Sequence, residues 1–167
     1  MNLRLSFFAF PLLIISSLIN AQPVKTHGQL KVEGTKLVDK NGKPVVLRGM
    51  SFGWHNFWPR FYTAGTMKWL HDDWKCSVVR AAMGVEPDRG YIKDSAGSVN
   101  KIKAVVDAAI KDGIYVIIDW HSHNIRLTEA KVFFTDMAKD YGKYPNVIYE
   151  IFNEPDYETW PEVKAYS

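Results

Sequence analysis

The chain has 167 residues, a formal net charge of +3 at pH 7, 47% apolar residues and a single cysteine. One cysteine excludes an intrachain disulfide and any cysteine-built metal centre. A small positive charge with no clustered basic stripe excludes the electrostatic footprint of a nucleic-acid binder.

Met1–Ala21 has the layout of a secretory signal peptide: Arg4, an apolar run from Leu5 to Ile19, then small or polar residues before Gln22. The run is shorter than the roughly 20 residues a membrane span needs, and Pro11 interrupts it. The sequence therefore predicts a secreted, extracellular protein whose folded part is 22–167.

Gln29 to Val46 reads as a β-hairpin, with turn signals at Gly34 and at Asp39-Lys40-Asn41-Gly42. Val45–Ser51 is a predicted buried strand, followed by the aromatic loop Phe52–Pro59. Ala64–Trp74 has a helical stripe of Met67, Leu70 and Trp74, with Thr63 or Thr66 as the cap. Trp69 and Trp74 are expected in the core. Ser77–Met83 is the second strand, and Cys76 beside it reads as a small buried hydrophobe. Ser98 is the expected cap of an amphipathic helix whose Val99, Ile102, Val105, Val106, Ala109 and Ile110 share a face, ending at Gly113. Ile114–Asp119 is the third strand, running into Trp120-His121-Ser122-His123. A helix over Thr128–Tyr141, a fourth strand over Val147–Phe152 and a helix from Glu158 to Tyr166 complete the chain.

Apolar strands alternating with helices imply an α/β fold with a parallel sheet covered by helices. No Gly-x-Gly-x-x-Gly follows the first strand, which removes the main dinucleotide-binding signature. Polar groups sit instead at strand ends: Arg80 within the second, His121 after the third, Asn153 and Glu154 after the fourth. That placement is the signature of a (β/α)8 TIM barrel, of which these would be the first four strand–helix units after a hairpin. Val147–Pro155 is the most informative stretch. Pro155 has no N–H to give a sheet and biases Glu154 toward an extended backbone. A carboxylate and a carboxamide side by side at the mouth of an apolar strand are costly to place there without a use.

Leu37–Pro44, Leu47–Ser51, Val79–Met83, Tyr115–His121 and Val147–Pro155, in that order and spacing, together resemble glycoside hydrolase family 5. The likeness is greatest to its secreted endo-β-1,4-glucanases, or cellulases. The resemblance implies a (β/α)8 barrel of retaining glycosidases working without a metal or organic cofactor, with a β-glucan polysaccharide as substrate and no protein, membrane or nucleic-acid partner. It implies Glu154 as the general acid/base and Asn153 as the neighbour that hydrogen-bonds the sugar 2-hydroxyl. Arg80 is similar to the strand-two arginine that holds the nucleophile's carboxylate, and His121 to the strand-three histidine lining the cleavage subsite.

A retaining glycosidase needs two carboxyl groups about 5–5.5 Å apart. Glu150 shares a strand face with Glu154 but lies about 13 Å away at 3.3 Å per residue. Glu158 reads as an exposed first-turn acid favoured by the helix dipole. The resemblance places the nucleophile after a seventh strand, which the chain does not contain, so this fragment alone is expected to be inactive. Phe52 and Gly53 stand where the family offers a histidine, so Trp54, Phe57 and Trp58, with His123, are the candidate sugar-binding groups, and rim packing is the alternative for the three rings. His121 and His123 lack a third ligand and make a poor zinc site. Two other functions stay open: a related barrel cleaving β-mannan or mixed-linkage glucan, and a non-catalytic, truncated carbohydrate binder.

Overall fold

A computed structural model describes residues 22–167; the expected signal peptide lies outside the described residues. The elements are α1 (Pro23–His27), β1 (Lys31–Glu33), β2 (Lys36–Val38), β3 (Gly49–Ser51), a 3-10 turn (Pro59–Phe61), α2 (Ala64–Asp72), β4 (Val78–Gly84), α3 (Ser95–Asp112), β5 (Tyr115–His121), α4 (Leu127–Tyr141), β6 (Val147–Glu150) and α5 (Trp160–Tyr166). Among the described residues, no helix is long and apolar enough to cross a membrane.

β1 and β2 pair antiparallel around Gly34, whose positive φ suits a residue without Cβ. The second turn is built by Asp39, whose carboxylate accepts the N–H groups of Asn41 and Lys43 at 2.8 and 3.0 Å. It brings Pro44 back to an isolated bridge with Val38. The strand expected to be buried over Val45–Ser51 shortens to Gly49–Ser51, and all three of its residues are exposed.

β3, β4, β5 and β6 form one parallel sheet in chain order. The two faces of that sheet differ sharply. Val79, Ala81, Met83, Val116, Ile118 and Trp120 point to one side and are all buried. There they meet Ile102, Val105, Val106 and Ala109 of α3 and Phe133 and Met137 of α4 in a single apolar cluster. Fully burying a large apolar side chain stabilises by about 1.5–3 kcal/mol, so this helix-covered face is the main source of cohesion. The other face carries Ser51, Arg80, Asp119, His121 and Glu150. β3 and β4 approach closely: a Cβ at Gly49 would overlap the Val78 carbonyl.

α3 begins earlier than the sequence indicates. Asp94, not Ser98, is the N-cap, its carboxylate accepting the Gly97 N–H. Ser98 lies one turn inside the helix and is buried. Gly113 ends α3 in the left-handed conformation, as expected. Trp69 and Trp74, expected in the core, are instead 51% and 55% exposed and pack edge-to-face on each other. The helical stripe of α2 is satisfied by Met67, Leu70 and His71. Glu158 also departs from expectation. It precedes α5 and accepts the N–H groups of Ile125 and Tyr157 at 3.1 and 3.2 Å, so it ties two loops together. Glu162 is the first-turn acid of α5, bound by the Thr159 N–H at 2.7 Å.

Candidate functional site

The site follows from register. Asp119 on β5 stands directly beside Glu150 on β6. Two carboxylates facing each other across adjacent strands repel, so a cation must be close. Arg80 on β4 pairs with Ile117, one period-two step below Asp119 and on the same face. Its long side chain rises along that face to reach both acids.

The guanidinium grips Glu150 bidentately, Nε to Oε2 and Nη2 to Oε1, each at 2.7 Å. Nη2 also meets Asp119 Oδ2 at 2.9 Å and donates to Asn153 Oδ1 at 2.9 Å. Nη1 reaches Ser51 Oγ on β3 at 3.3 Å. One arginine thus draws together all four strands of the sheet. The bond to Glu150 holds Arg80 more firmly protonated than usual, against the opposing effect of burial. Burial lifts the Asp119 carboxyl above its ordinary range despite His121 and Arg80, both of which lower it.

His121 ends β5 with Nδ1 2.7 Å from Asp119 Oδ2. Its ring lies edge-on to Trp54, centroids 4.4 Å apart. Trp54 stacks on Phe57 at 5.5 Å and sits 5.7 Å from the His123 ring. His123 Nδ1 lies 3.7 Å from Glu154 Oε2 and 3.5 Å from Asp156 Oδ1. Glu154 is largely exposed, beyond the end of β6. Asn153 has its oxygen held by Arg80, while its Nδ2 has no partner among the described residues.

Arg80, His121, Asn153, Glu154, Trp54, Phe57 and His123 therefore gather at one end of the sheet. Trp58 does not join them; its half-exposed ring lies 5.3 Å from the Arg60 guanidinium. Sequence reasoning missed Asp119 and Glu150. Strand periodicity puts both on the polar face, but only the cross-strand register joins them to Arg80. No group of three His, Cys, Asp or Glu suited to a metal ion is found among the described residues.

Beside this cluster, His55 is buried, accepting the Gly84 N–H at Nδ1 (3.1 Å) and lying 2.8 Å from Ser98 Oγ at Nε2. With Nδ1 as acceptor, Nε2 carries the proton and donates to Ser98. Burial, reinforced by the Lys101 charge, pushes the His55 pKa down to about 4.

Polar groups at the carboxyl ends of successive parallel strands, with a Glu and an Asn at the last of them, define the class, and the family model for cellulase (glycosyl hydrolase family 5) matches residues 38–167. The chain belongs to that family. Endoglucanase N of Pectobacterium atrosepticum is 47% identical over 145 residues, covering 84% of this chain and 32% of that protein. The catalytic domain of a Thermobifida fusca endoglucanase superposes with a TM-score of 0.82 at 36% identity, covering 86% of this chain and 48% of that one. A variant of the same domain solved with cellotetraose gives a TM-score of 0.81 with the same identity and coverage. The chain spans about a third of the first of these proteins and about half of each of the solved domains.

Proposed function

We propose that this chain provides the acid/base half of a secreted, retaining endo-β-1,4-glucanase acting on cellulose-like β-glucan, within a (β/α)8 barrel. The observation that carries this is the segment just past β6, at Asn153 and Glu154. Arg80 pins the Asn153 oxygen, which turns the amide nitrogen, unpaired among the described residues, into a donor for a sugar hydroxyl. The next residue, Glu154, offers a carboxyl with free access to a glycosidic oxygen. Further support comes from the family's cellotetraose complex and from the aromatic wall of Trp54 and Phe57, flat apolar surface suited to a sugar face.

In this mechanism Glu154 protonates the leaving oxygen while a second carboxylate attacks the anomeric carbon. Glu154 then takes a proton from the water that hydrolyses the covalent glycosyl-enzyme. Glu150 does not serve as the nucleophile. It is the last residue of β6, four positions before Glu154, with both oxygens held by the Arg80 fork. In this reading the second carboxylate lies in the part of the family's domain that this chain, spanning about half of its solved relatives, does not cover.

The test is reducing-sugar release from carboxymethylcellulose by that enzyme and by its Glu154→Gln variant, with β-mannan and mixed-linkage glucan alongside. Loss of general acid/base catalysis is typically worth about 10²–10⁴-fold, so the variant should lose at least a hundredfold on cellulose. Undiminished activity in Glu154→Gln would remove the assignment, and faster mannan cleavage would replace the substrate.

A further inference from the structure

Asp119 has no exposed surface, yet one of its oxygens serves two of the proposed site residues at once. Oδ2 forms an ion pair with Arg80 Nη2 at 2.9 Å and faces His121 Nδ1 at 2.7 Å. A carboxylate in that position requires a proton on Nδ1, because two lone pairs at that distance repel. The neutral imidazole then has its lone pair on Nε2. The ring has little freedom to choose otherwise: His121 is almost fully buried and Trp54 presses against it. Arg80 in turn holds Asn153 and Glu150.

We infer that Asp119 is a positioning residue. It fixes His121 as the Nδ1–H tautomer, so that Nε2 presents an acceptor to a sugar hydroxyl, and it aligns the Arg80 fork that orients Asn153. This rests on the hydrolytic reading above and adds to it the group that sets the polarity of the His121 face. The charged and titratable groups facing Asp119 are Arg80 from β4, Glu150 from β6, His121 on its own strand and the Tyr62 phenol. A proton resting on Asp119 would reverse the arrangement. The acid would donate to Nδ1, and Nε2 would become an N–H unable to accept from a hydroxyl.

Imidazole nitrogen NMR of the ¹⁵N-histidine-labelled full chain at neutral pH distinguishes the two states without any substitution. The expected spectrum shows His121 with a protonated Nδ1 and a bare Nε2. In Asp119→Asn the amide can donate to Nδ1, and the tautomer should switch to Nε2–H. Partners that orient metal-bound histidines typically contribute about 10–100-fold; on the same scale, kcat on soluble cellulose in the enzyme containing this chain should fall by about 10–100-fold, with KM nearly unchanged. Asp119→Glu should restore part of it. A wild-type His121 found as Nε2–H overturns the inference, as does an Asp119→Asn variant with unchanged tautomer and kcat. A purely structural Asp119 would lower the melting temperature and leave kcat of the folded fraction intact, which also overturns it. If the tautomer switches as expected but the wild type cleaves no glucan, positioning of His121 stands and the hydrolytic reading falls.

Discussion

Arg80→Met tests the central construction of the site, since methionine keeps an apolar stem and removes the guanidinium. The loss takes away two 2.7 Å bonds to Glu150, the 2.9 Å contacts to Asp119 and Asn153, and the 3.3 Å contact to Ser51. Removing one partner of a buried ion pair costs about 3–5 kcal/mol, because the remaining charge is left uncompensated. Two features place the cost at the low end. The Glu150 side chain is about a third exposed and can regain water, and Asp119 keeps His121. We expect a loss of about 3 kcal/mol at pH 7. The dependence on pH is diagnostic. The folded-state pKa of Asp119 lies above its ordinary 3.8, so its ionised form is the disfavoured one in the fold. Stability from this group therefore falls as pH rises from 3.8 into the raised range. Arg80 counteracts that shift, so its removal widens it, and the penalty should grow with pH across the same window. With Asp119 protonated at pH 3, the penalty should shrink to ordinary hydrogen-bond size, about 1 kcal/mol. Urea unfolding of wild type and variant, followed by tryptophan fluorescence at pH 3 and pH 7, measures both values. A penalty below about 1 kcal/mol at pH 7, or one independent of pH, would refute the reasoning.

His55 should stay neutral until about pH 4 when its ring protons are followed by NMR. Since its folded-state pKa is depressed below the ordinary 6.5, the unfolded chain takes up the proton first. Its contribution to stability is complete above pH 6.5 and is lost as pH falls toward 4; a normal titration midpoint would contradict its burial against Gly84 and Ser98. Asn146→Ala should destabilise by about 1–3 kcal/mol, the cost of leaving the Ile114 carbonyl without its donor. Asn146 Nδ2 donates to Ile114 O at 2.8 Å and Ala109 O at 3.4 Å, and a melting temperature unchanged from wild type would show those bonds to be dispensable.

The strand–helix alternation was legible because its signals are local. Val147–Ile148 and Val116–Ile118 are apolar wherever they point, and Gly113 marks a helix end by conformation alone. Asn153 and Glu154 were legible as polar groups following the fourth strand, but β6 ends at Glu150, two residues before the expected Phe152, so Pro155 is not what stops it. What connects the site was not. Asp119 and Glu150 lie 31 positions apart and become partners only through the β5–β6 register, and no periodicity in either strand encodes that pairing. Ser98 was misplaced because a serine before an apolar run looks like a cap; the true cap, Asp94, sits at the end of an irregular loop. The outward turn of Trp69 and Trp74 reflects a stripe of α2 already filled by Met67 and Leu70, a choice that composition does not announce. α1 escaped notice because five residues carry too little pattern to read.

The contact at Gly49 links the backbone to the chemistry in a way that no site residue reveals. Gly49 lies beside Val78, and two steps along the same ladder Ser51 lies beside Arg80. Any side chain at Gly49 would collide with the Val78 carbonyl, and β3 would be forced away from β4. Ser51 would be carried off the guanidinium, and the aromatic loop that follows it would shift relative to His121. The position of the aromatic loop over the end of the sheet is thus set by an absent methyl group on β3. Variation among Trp54 and Phe57 changes what that loop presents, while Gly49 decides where the loop stands.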